Sequence, residues 1–185
     1  MNIDVLMRFL AAAQVLCGHR DYVVIGSLSV LGMAQVEAAP VDMTLSIDAD
    51  CYTLADPPRV FDLFEALGEG SPYHQAHGVY LDPVSPHLPT LPDGWAQRLI
   101  LVKRPPVVAH CLEVNDAAVS KLARGEPRDL RWVCAGIQAG LISLPMVRLR
   151  MRQTIFLDAD EQQATELRVA ALSSVSAQQQ SGSNR

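Results

Sequence analysis

Polar and apolar side chains alternate along residues 43–52, MTLSIDADCY. Because successive side chains of a strand point to opposite faces, this period of two predicts a half-buried β-strand. Its polar face would carry Thr44, Ser46, Asp48 and Asp50. The Cβ atoms of the two acids would lie roughly 6 to 7 Å apart, where two anions repel each other unless a cation or water screens them. The pair therefore indicates either a magnesium site or solvated surface acids.

The first forty residues follow helical and strand patterns in turn. Apolar residues at helical spacing predict an amphipathic helix over residues 3–17 that ends near Gly18. The run DYVVIG, residues 21–26, predicts a buried strand, and SLSVLGMAQVE a helix that begins at or next to Ser27. Gly26 and Ser27 would then lie between a strand and a helix, where free backbone N–H groups favour a phosphate. This order of elements is typical of an α/β fold.

The middle of the chain alternates between short elements and proline-rich connections. PPRVFDLFEALGEG, residues 57–70, predicts a helix with an apolar stripe made by Val60, Phe61, Phe64 and Leu67. HGVYLD predicts a strand that ends at Asp82, and the four prolines of residues 83–94 predict a surface loop. RLILVK and VVAHCLEV predict a hairpin across Pro105 and Pro106.

The pattern becomes helical from about residue 115 onward. Asn115 is predicted to cap a helix that stops at Gly125, and Pro127 to begin the next one. Asp158 and Glu161 have the spacing of a capping box for a last helix. Residues 173–185 are mostly Ser, Gln, Gly and Asn, which predicts a disordered tail. We expect residues 1–172 to form one domain, an α/β mixed sheet flanked by helices.

Composition narrows the classes of function. The net charge of −5 excludes a whole-molecule basic field for holding nucleic acid, which leaves only a local patch. The four cysteines are far apart and form no C-x-x-C pair, so we expect small buried side chains in a reducing cytoplasm rather than disulfides or zinc ligands. The longest apolar run, residues 22–34, is too short to span a membrane and contains two glycines.

Three stretches resemble known nucleotidyltransferases. Gly26-Ser27, followed by a helix and an acid-x-acid strand, resembles the nucleotidyltransferase superfamily, whose fold is a small mixed sheet flanked by helices. NDAAVSKLARGEPRDLRWV, residues 115–133, resembles a helical motif of the bacterial AbiEii and MNT-type toxins. Residues 43–95 resemble a bacterial family of nucleotidyltransferase-like proteins, and the likeness as a whole covers residues 20–160.

The resemblance implies a role for each candidate residue. Asp48 and Asp50 would hold magnesium on a nucleoside triphosphate, and Asp82 is our choice for the third acid, with Glu113 as second choice. Gly26, Ser27, Lys121, Arg124 and Arg128 would bind the nucleotide. Lys121 is expected on an exposed helix face, whereas Arg128 has an equal alternative, which is to brace the junction of two helices together with Asp129.

Two functions remain open at this point. The first is a metal-dependent transfer of a nucleotide from a triphosphate to an RNA or protein hydroxyl, as in the toxin half of a toxin–antitoxin pair. The second is a catalytically degenerate relative that binds a nucleotide or a protein partner such as an antitoxin. It is suggested by the twenty residues between Ser27 and Asp48, a longer gap than in minimal members of the superfamily.

Overall fold

The computed structural model describes residues 1–33, 37 and 39–182, with side chains up to Ser173 in the last helix. The strands are β1 (Asp21–Val24), β2 (Asp48–Thr53), β3 (Tyr80–Pro83), β4 (Ile100–Arg104) and β5 (Val107–Cys111). The α-helices are α1 (Ile3–Cys17), α2 (Val41–Thr44), α3 (Phe64–Leu67), α4 (Pro72–His77), α5 (Val114–Arg124), α6 (Pro127–Gln138), α7 (Leu144–Met151) and α8 (Ala159–Gly182). Short 3₁₀ helices cover Ser27–Gly32, Pro57–Leu63 and Trp95–Arg98.

The five strands form one mixed sheet in the order β3-β2-β1-β5-β4. Strand β1 is parallel to β5 and antiparallel to β2, while β2 and β3 are parallel to each other. Strands β4 and β5 form the predicted antiparallel hairpin. Tyr22, Val23 and Val24 of β1 are fully buried, so both faces of the central strand are covered. The predicted α/β architecture, a mixed sheet flanked by helices, is confirmed.

Several predicted boundaries are confirmed by the backbone. Helix α1 has the predicted bounds, and Gly18 ends it in the left-handed conformation. Gly125 ends α5 in the same way, with a φ of 71°. The Asp158 carboxylate accepts a hydrogen bond from the Glu161 N–H and so begins α8 as predicted. Among the described residues, no helix has both the length and the apolar composition that a membrane crossing requires.

The prediction of a strand over residues 43–52 is wrong in its first half. Strand β2 begins only at Asp48, and α2 occupies the residues up to Thr44. Leu45 and Ile47, predicted to be buried, are 63% and 47% exposed. The reason is where the partner strands begin and end: β2 pairs with β3 only from Asp48, opposite Tyr80, and with β1 only from Cys51, so no described strand pairs with residues 43–47.

Three helix predictions need smaller corrections. The helix predicted from Ser27 is a 3₁₀ helix that ends at Gly32, and residues 34–36 of that prediction lie outside the described part of the chain. The helix predicted after Pro57 is mostly 3₁₀, and two of its stripe residues, Phe61 and Phe64, are half exposed. The cap of α5 is Glu113 rather than Asn115, because the Glu113 carboxylate accepts from the backbone of the next turn. Of the predicted tail, residues 173–185, the side chains from residue 174 onward are not among those described.

Candidate active site

Three carboxylates meet on one face of the sheet, where β2 and β3 run side by side. Asp48 and Asp50 lie two residues apart on β2, and the parallel register places Asp82 of β3 directly beside Asp50. One carboxylate oxygen of each acid lies within 4.8 Å of the others. The Ser46 hydroxyl donates a hydrogen bond to Asp48 and fixes its orientation. Glu113, the second choice for the third acid, instead caps α5.

The crowding of these acids changes their titration. Burial raises the pKa of Asp50 to about 7, and the charges of Asp48 and Asp82 act in the same direction. The cations of Lys121 and Arg124 oppose that rise only in part. Burial, with the charge of Asp48, also raises the pKa of Asp82. The negative charges of the cluster therefore repel one another, and a divalent cation would relieve that repulsion.

The donor set fits a divalent metal ion. Carboxylate oxygens are the ligands that magnesium prefers, and around a magnesium ion at about 2.1 Å two such ligands lie at most about 4.2 Å apart. One ligand atom of each acid lies within 4.8 Å of the other two, so shifts of less than about 1 Å would close the three acids around one ion. Asp48, Asp50 and Asp82 are thus the residues that would hold the metal.

Gly26 is required by the position of Asp50. A Cβ at residue 26 would lie 1.4 Å from Asp50 Oδ2 and 2.8 Å from Asp50 Cβ. Any side chain there would therefore displace the whole Asp50 side chain, including its Cβ. The Ile25 N–H also donates to the Asp50 carbonyl oxygen at 3.0 Å. The glycine that the sequence suggested for a phosphate turn therefore also makes room for a metal ligand.

Lys121 is buried, which contradicts its predicted exposed face. Its side chain is 6% exposed, and its ammonium donates to Ser27 Oγ at 2.9 Å and to Asp129 Oδ1 at 3.2 Å. The same ammonium lies 5.0 Å from the centre of the Trp132 ring. Burial lowers the pKa of Lys121, while the Asp129 charge opposes the change. The burial follows from a partner on another helix, which the sequence pattern of α5 alone does not reveal.

Asp129 forms ion pairs with two of the predicted cations, Lys121 and Arg124. It is fully buried and accepts two hydrogen bonds from Arg124, each 2.7 Å long. Burial tends to raise the pKa of Asp129, but the Arg124 and Lys121 contacts hold it below its ordinary value. The bracing of the α5–α6 junction that the sequence suggested for Arg128 is thus made by Asp129 with Lys121 and Arg124. Trp132 adds to it, since its indole N–H donates to the Ser27 carbonyl oxygen.

A cleft of about 400 Å³ opens beside the acids. Its lining includes Gly26, Asp50 and Asp82 together with the cations Lys121, Arg124 and Arg128. The structure thus brings to one place every predicted site residue except Asp48 and Ser27, and those two contact the cleft residues described above. Arg124 is 51% exposed although Asp129 holds it. Arg128 is exposed and its charge acts on Asp82.

The cleft lining also includes residues that were not named as site residues. Among them are Leu88, Pro89 and Thr90 from the proline-rich loop and Glu161 from α8. The Thr90 hydroxyl donates to the Glu161 carboxylate, with distances of 3.0 and 3.2 Å to its two oxygens. The sequence signal at Glu161 was its capping-box spacing from Asp158, which gave no indication that its carboxylate also lines a cleft.

One comparison with known proteins agrees with this geometry. Neither the curated proteins nor the solved structures gave a significant match. A family model described as "Nucleotidyltransferase of unknown function (DUF6036)" matches residues 4–179, which include all five strands, the acid cluster and the cleft. The mixed sheet with its helices is consistent with a nucleotidyltransferase-like fold. The chain belongs to this nucleotidyltransferase family.

Proposed function

We propose that the protein is a magnesium-dependent nucleotidyltransferase that moves a nucleotide from a nucleoside triphosphate to a hydroxyl of RNA or protein. The family supports the reaction class and the triphosphate substrate. The observation that carries the metal-dependent form is the cluster of Asp48, Asp50 and Asp82, because Asp50 and Asp82 line a cleft that Arg124 and Arg128 also line. Acids and cations are adjacent there, as a metal-bound polyphosphate requires.

The triphosphate binds between the acids and the arginines. Arg124 and Arg128 line the same cleft as Asp50 and Asp82, and a guanidinium is suited to paired hydrogen bonds with phosphate oxygens. Gly26 lets the chain approach closely, because no side chain separates its backbone from Asp50. Lys121 acts indirectly: its ammonium is held by Asp129 and positions the Ser27 hydroxyl at the start of the turn.

The transfer is a displacement at the α-phosphorus. The oxygen of the acceptor hydroxyl forms a bond to that phosphorus, and the bond to the oxygen that bridges to the β-phosphate breaks. Pyrophosphate leaves with that electron pair. Asp82 accepts the hydroxyl proton, a role favoured by its exposed position in the cleft. A magnesium ion on the acids would neutralise phosphate charge and activate the hydroxyl.

A sequence resemblance and the state of the cysteines support a biological setting. The resemblance of residues 115–133 to AbiEii and MNT-type toxins supports a toxin role with an antitoxin as protein partner. The free state of all four cysteines supports a reducing compartment such as the cytoplasm. We take residues 1–172 as the single unit that carries the activity.

A transfer assay tests the proposal. The purified protein is incubated with each of the four triphosphates labelled at the α-phosphate, magnesium, and the RNA and protein fractions of a bacterial extract. We expect label in one fraction, dependent on magnesium. Asp48→Asn with Asp50→Asn should abolish it, whereas Asp56→Asn, which removes an exposed acid outside the cluster, should not.

Two outcomes would count against transfer. If no fraction is labelled with any triphosphate, although calorimetry shows tight magnesium-dependent nucleotide binding, the protein is a binding module of this fold. If neither binding nor transfer occurs, and the double variant behaves as the wild type in both assays, the acid cluster is not a metal site.

A further inference from the structure

We propose that Ser120 binds the ribose of the donor nucleotide and so selects ribonucleoside triphosphates over their deoxy analogues. The inference rests on the proposed function, because it assumes that the cleft holds a nucleoside triphosphate. Ser120 lies on α5 and lines the same cleft as the acids and the arginines. The transfer described above makes no use of its side chain.

The Ser120 hydroxyl is free to bind a ligand. Helical serines and threonines often donate to the carbonyl oxygen one turn earlier, as Thr165 and Ser173 do in α8. Within the described part of the chain, Ser120 makes no such bond, and its hydroxyl has no other hydrogen-bond partner. Thr90, whose hydroxyl also lines the cleft, already donates to Glu161. Ser120 therefore keeps one donor and two acceptor sites for a ligand.

Helix α5 sets the order of chemical groups along the cleft. Ala117, Ser120 and Arg124 all line the cleft, and their spacings of three and four residues place them on one face of the helix. At a rise of about 1.5 Å per residue, Ser120 lies about 6 Å along the axis from Arg124 and about 4.5 Å from Ala117. The helix thus presents a cation, then a hydroxyl, then an apolar side chain.

The cationic end of this series is the phosphate end. The charge of Arg124 acts on Asp50, so its guanidinium lies close to the acids that would hold the metal. Arg124 donates to Asp129 through Nε and Nη2, which leaves Nη1 for a phosphate oxygen. In a nucleotide the ribose comes directly after the α-phosphate. With the α-phosphate at the acids, the ribose therefore reaches the next turn of α5, which carries Ser120.

The beginning of α5 gives the cleft an apolar surface. Ala117, and Leu112 just before the helix, line the cleft and are almost fully buried. An apolar wall packs against a flat base but offers its edge no hydrogen bond. A ribose hydroxyl both donates and accepts, as the Ser120 hydroxyl does, so the two groups can pair in either direction. The sugar is thus the part of the nucleoside that this wall can recognise.

Calorimetric titration in the presence of magnesium tests the sugar preference. Wild type is titrated with ATP, GTP, CTP and UTP, and the tightest binder is compared with its 2′-deoxy and 3′-deoxy analogues. Each analogue lacks one ribose hydroxyl and is otherwise unchanged. We expect at least one of them to bind about 3- to 10-fold more weakly than the ribonucleotide, the range for one neutral hydrogen bond.

Two variants separate ribose recognition from other effects. Ser120→Ala removes the hydroxyl, and alanine favours the helix, so the fold should hold. This variant should bind the analogue as tightly as wild type does and the ribonucleotide no more tightly than the analogue. Thr90→Val is the matched control, because it removes a cleft hydroxyl that is already bonded to Glu161. It should keep the ratio of ribonucleotide to analogue affinity.

Each result decides a different point. If wild type binds the ribonucleotide and both analogues alike, or Ser120→Ala keeps the preference, the ribose assignment is wrong while the proposed function stands. If Ser120→Ala weakens ribonucleotide and analogues by the same factor, Ser120 contacts a phosphate instead. If Thr90→Val also abolishes the preference, the loop and not Ser120 sets it. If no triphosphate binds wild type with magnesium, the proposed function fails, and the ribose assignment with it.

Discussion

Asparagine in place of Asp50 should stabilise the metal-free protein, and the gain should grow with pH. The pKa of Asp50 is about 7 in the folded protein, against an ordinary value of 3.8. Between pH 3.8 and 7 the Asp50 carboxyl is ionised in the unfolded chain but still protonated in the folded protein. The folded state therefore loses stability as the pH rises through this range. Above pH 7 the penalty is complete, and at 1.36 kcal/mol per unit it reaches about 4 kcal/mol.

Residual contact of the carboxyl with water reduces this value, so we expect about 2 to 4 kcal/mol at pH 8 and about 1 kcal/mol at pH 4.5. In a chain of 185 residues, the pH 8 gain corresponds to a rise in melting temperature of roughly 4 to 15 °C. Urea unfolding followed by circular dichroism in EDTA measures it. Added magnesium should stabilise wild type and much less the variant, since a ligand that binds only the folded state adds to its stability.

The matched control is Asp56→Asn, which makes the same change in charge at an exposed carboxyl. It should shift stability by less than about 0.5 kcal/mol at either pH. If Asp50→Asn is no more stable than wild type at pH 8 in EDTA, or if its gain is the same at pH 4.5, then Asp50 does not carry a buried charge in a repulsive cluster. The structural argument for the metal site would fail with it.

Four further substitutions test other parts of the site. Gly26→Ala should weaken magnesium-dependent triphosphate binding at least 10-fold in calorimetry, because the new Cβ displaces Asp50; unchanged affinity would refute the close approach. Lys121→Met should lower the free energy of unfolding by about 1 to 3 kcal/mol, since Asp129 keeps Arg124 but loses a buried partner. Arg128→Ala should leave that free energy within about 0.5 kcal/mol but weaken triphosphate binding, with a smaller loss at high salt; a melting curve and a titration at two salt concentrations distinguish the two effects. Trp132→Phe should lower stability by about 1 to 3 kcal/mol in urea unfolding, because the Ser27 and Met43 carbonyl oxygens lose a buried donor; equal stability would show that water replaces it.

Local sequence patterns were sufficient to predict part of the acid cluster. The alternation around Asp48 and Asp50 correctly predicts that both point to one face, because side-chain direction in a strand depends only on the period of two. The same alternation fails at Leu45 and Ile47. A strand needs a hydrogen-bonded neighbour, and nothing in residues 43–47 indicates that β3 begins only at the residue opposite Asp48. Asp82 was chosen from its place at the end of a strand, but its register beside Asp50 comes only from the structure.

The contacts of the cations that line the cleft were less predictable, because they too depend on segments that are distant in sequence. Helical spacing assigns residues to faces of α5, but what each face meets depends on how α6 packs against it. Lys121 is buried because Asp129 and Ser27 receive its ammonium. Glu161 and Thr90 are 71 residues apart, and no pattern within either segment indicates that they meet. Contacts between distant segments set these positions.

The order of strands in the sheet also has a consequence for how the chain folds. Strand β2 finds β3 across the segment from Leu54 to Val79, whereas β1 must find β5 across a stretch roughly three times as long. Closing the longer loop costs about 1 kcal/mol more in chain entropy. We expect the pairing that brings Asp50 beside Asp82 to form early, while the polypeptide is still being synthesised. The repulsive acids would then meet before α5 and its cations exist, so a divalent ion that binds these acids would also assist folding.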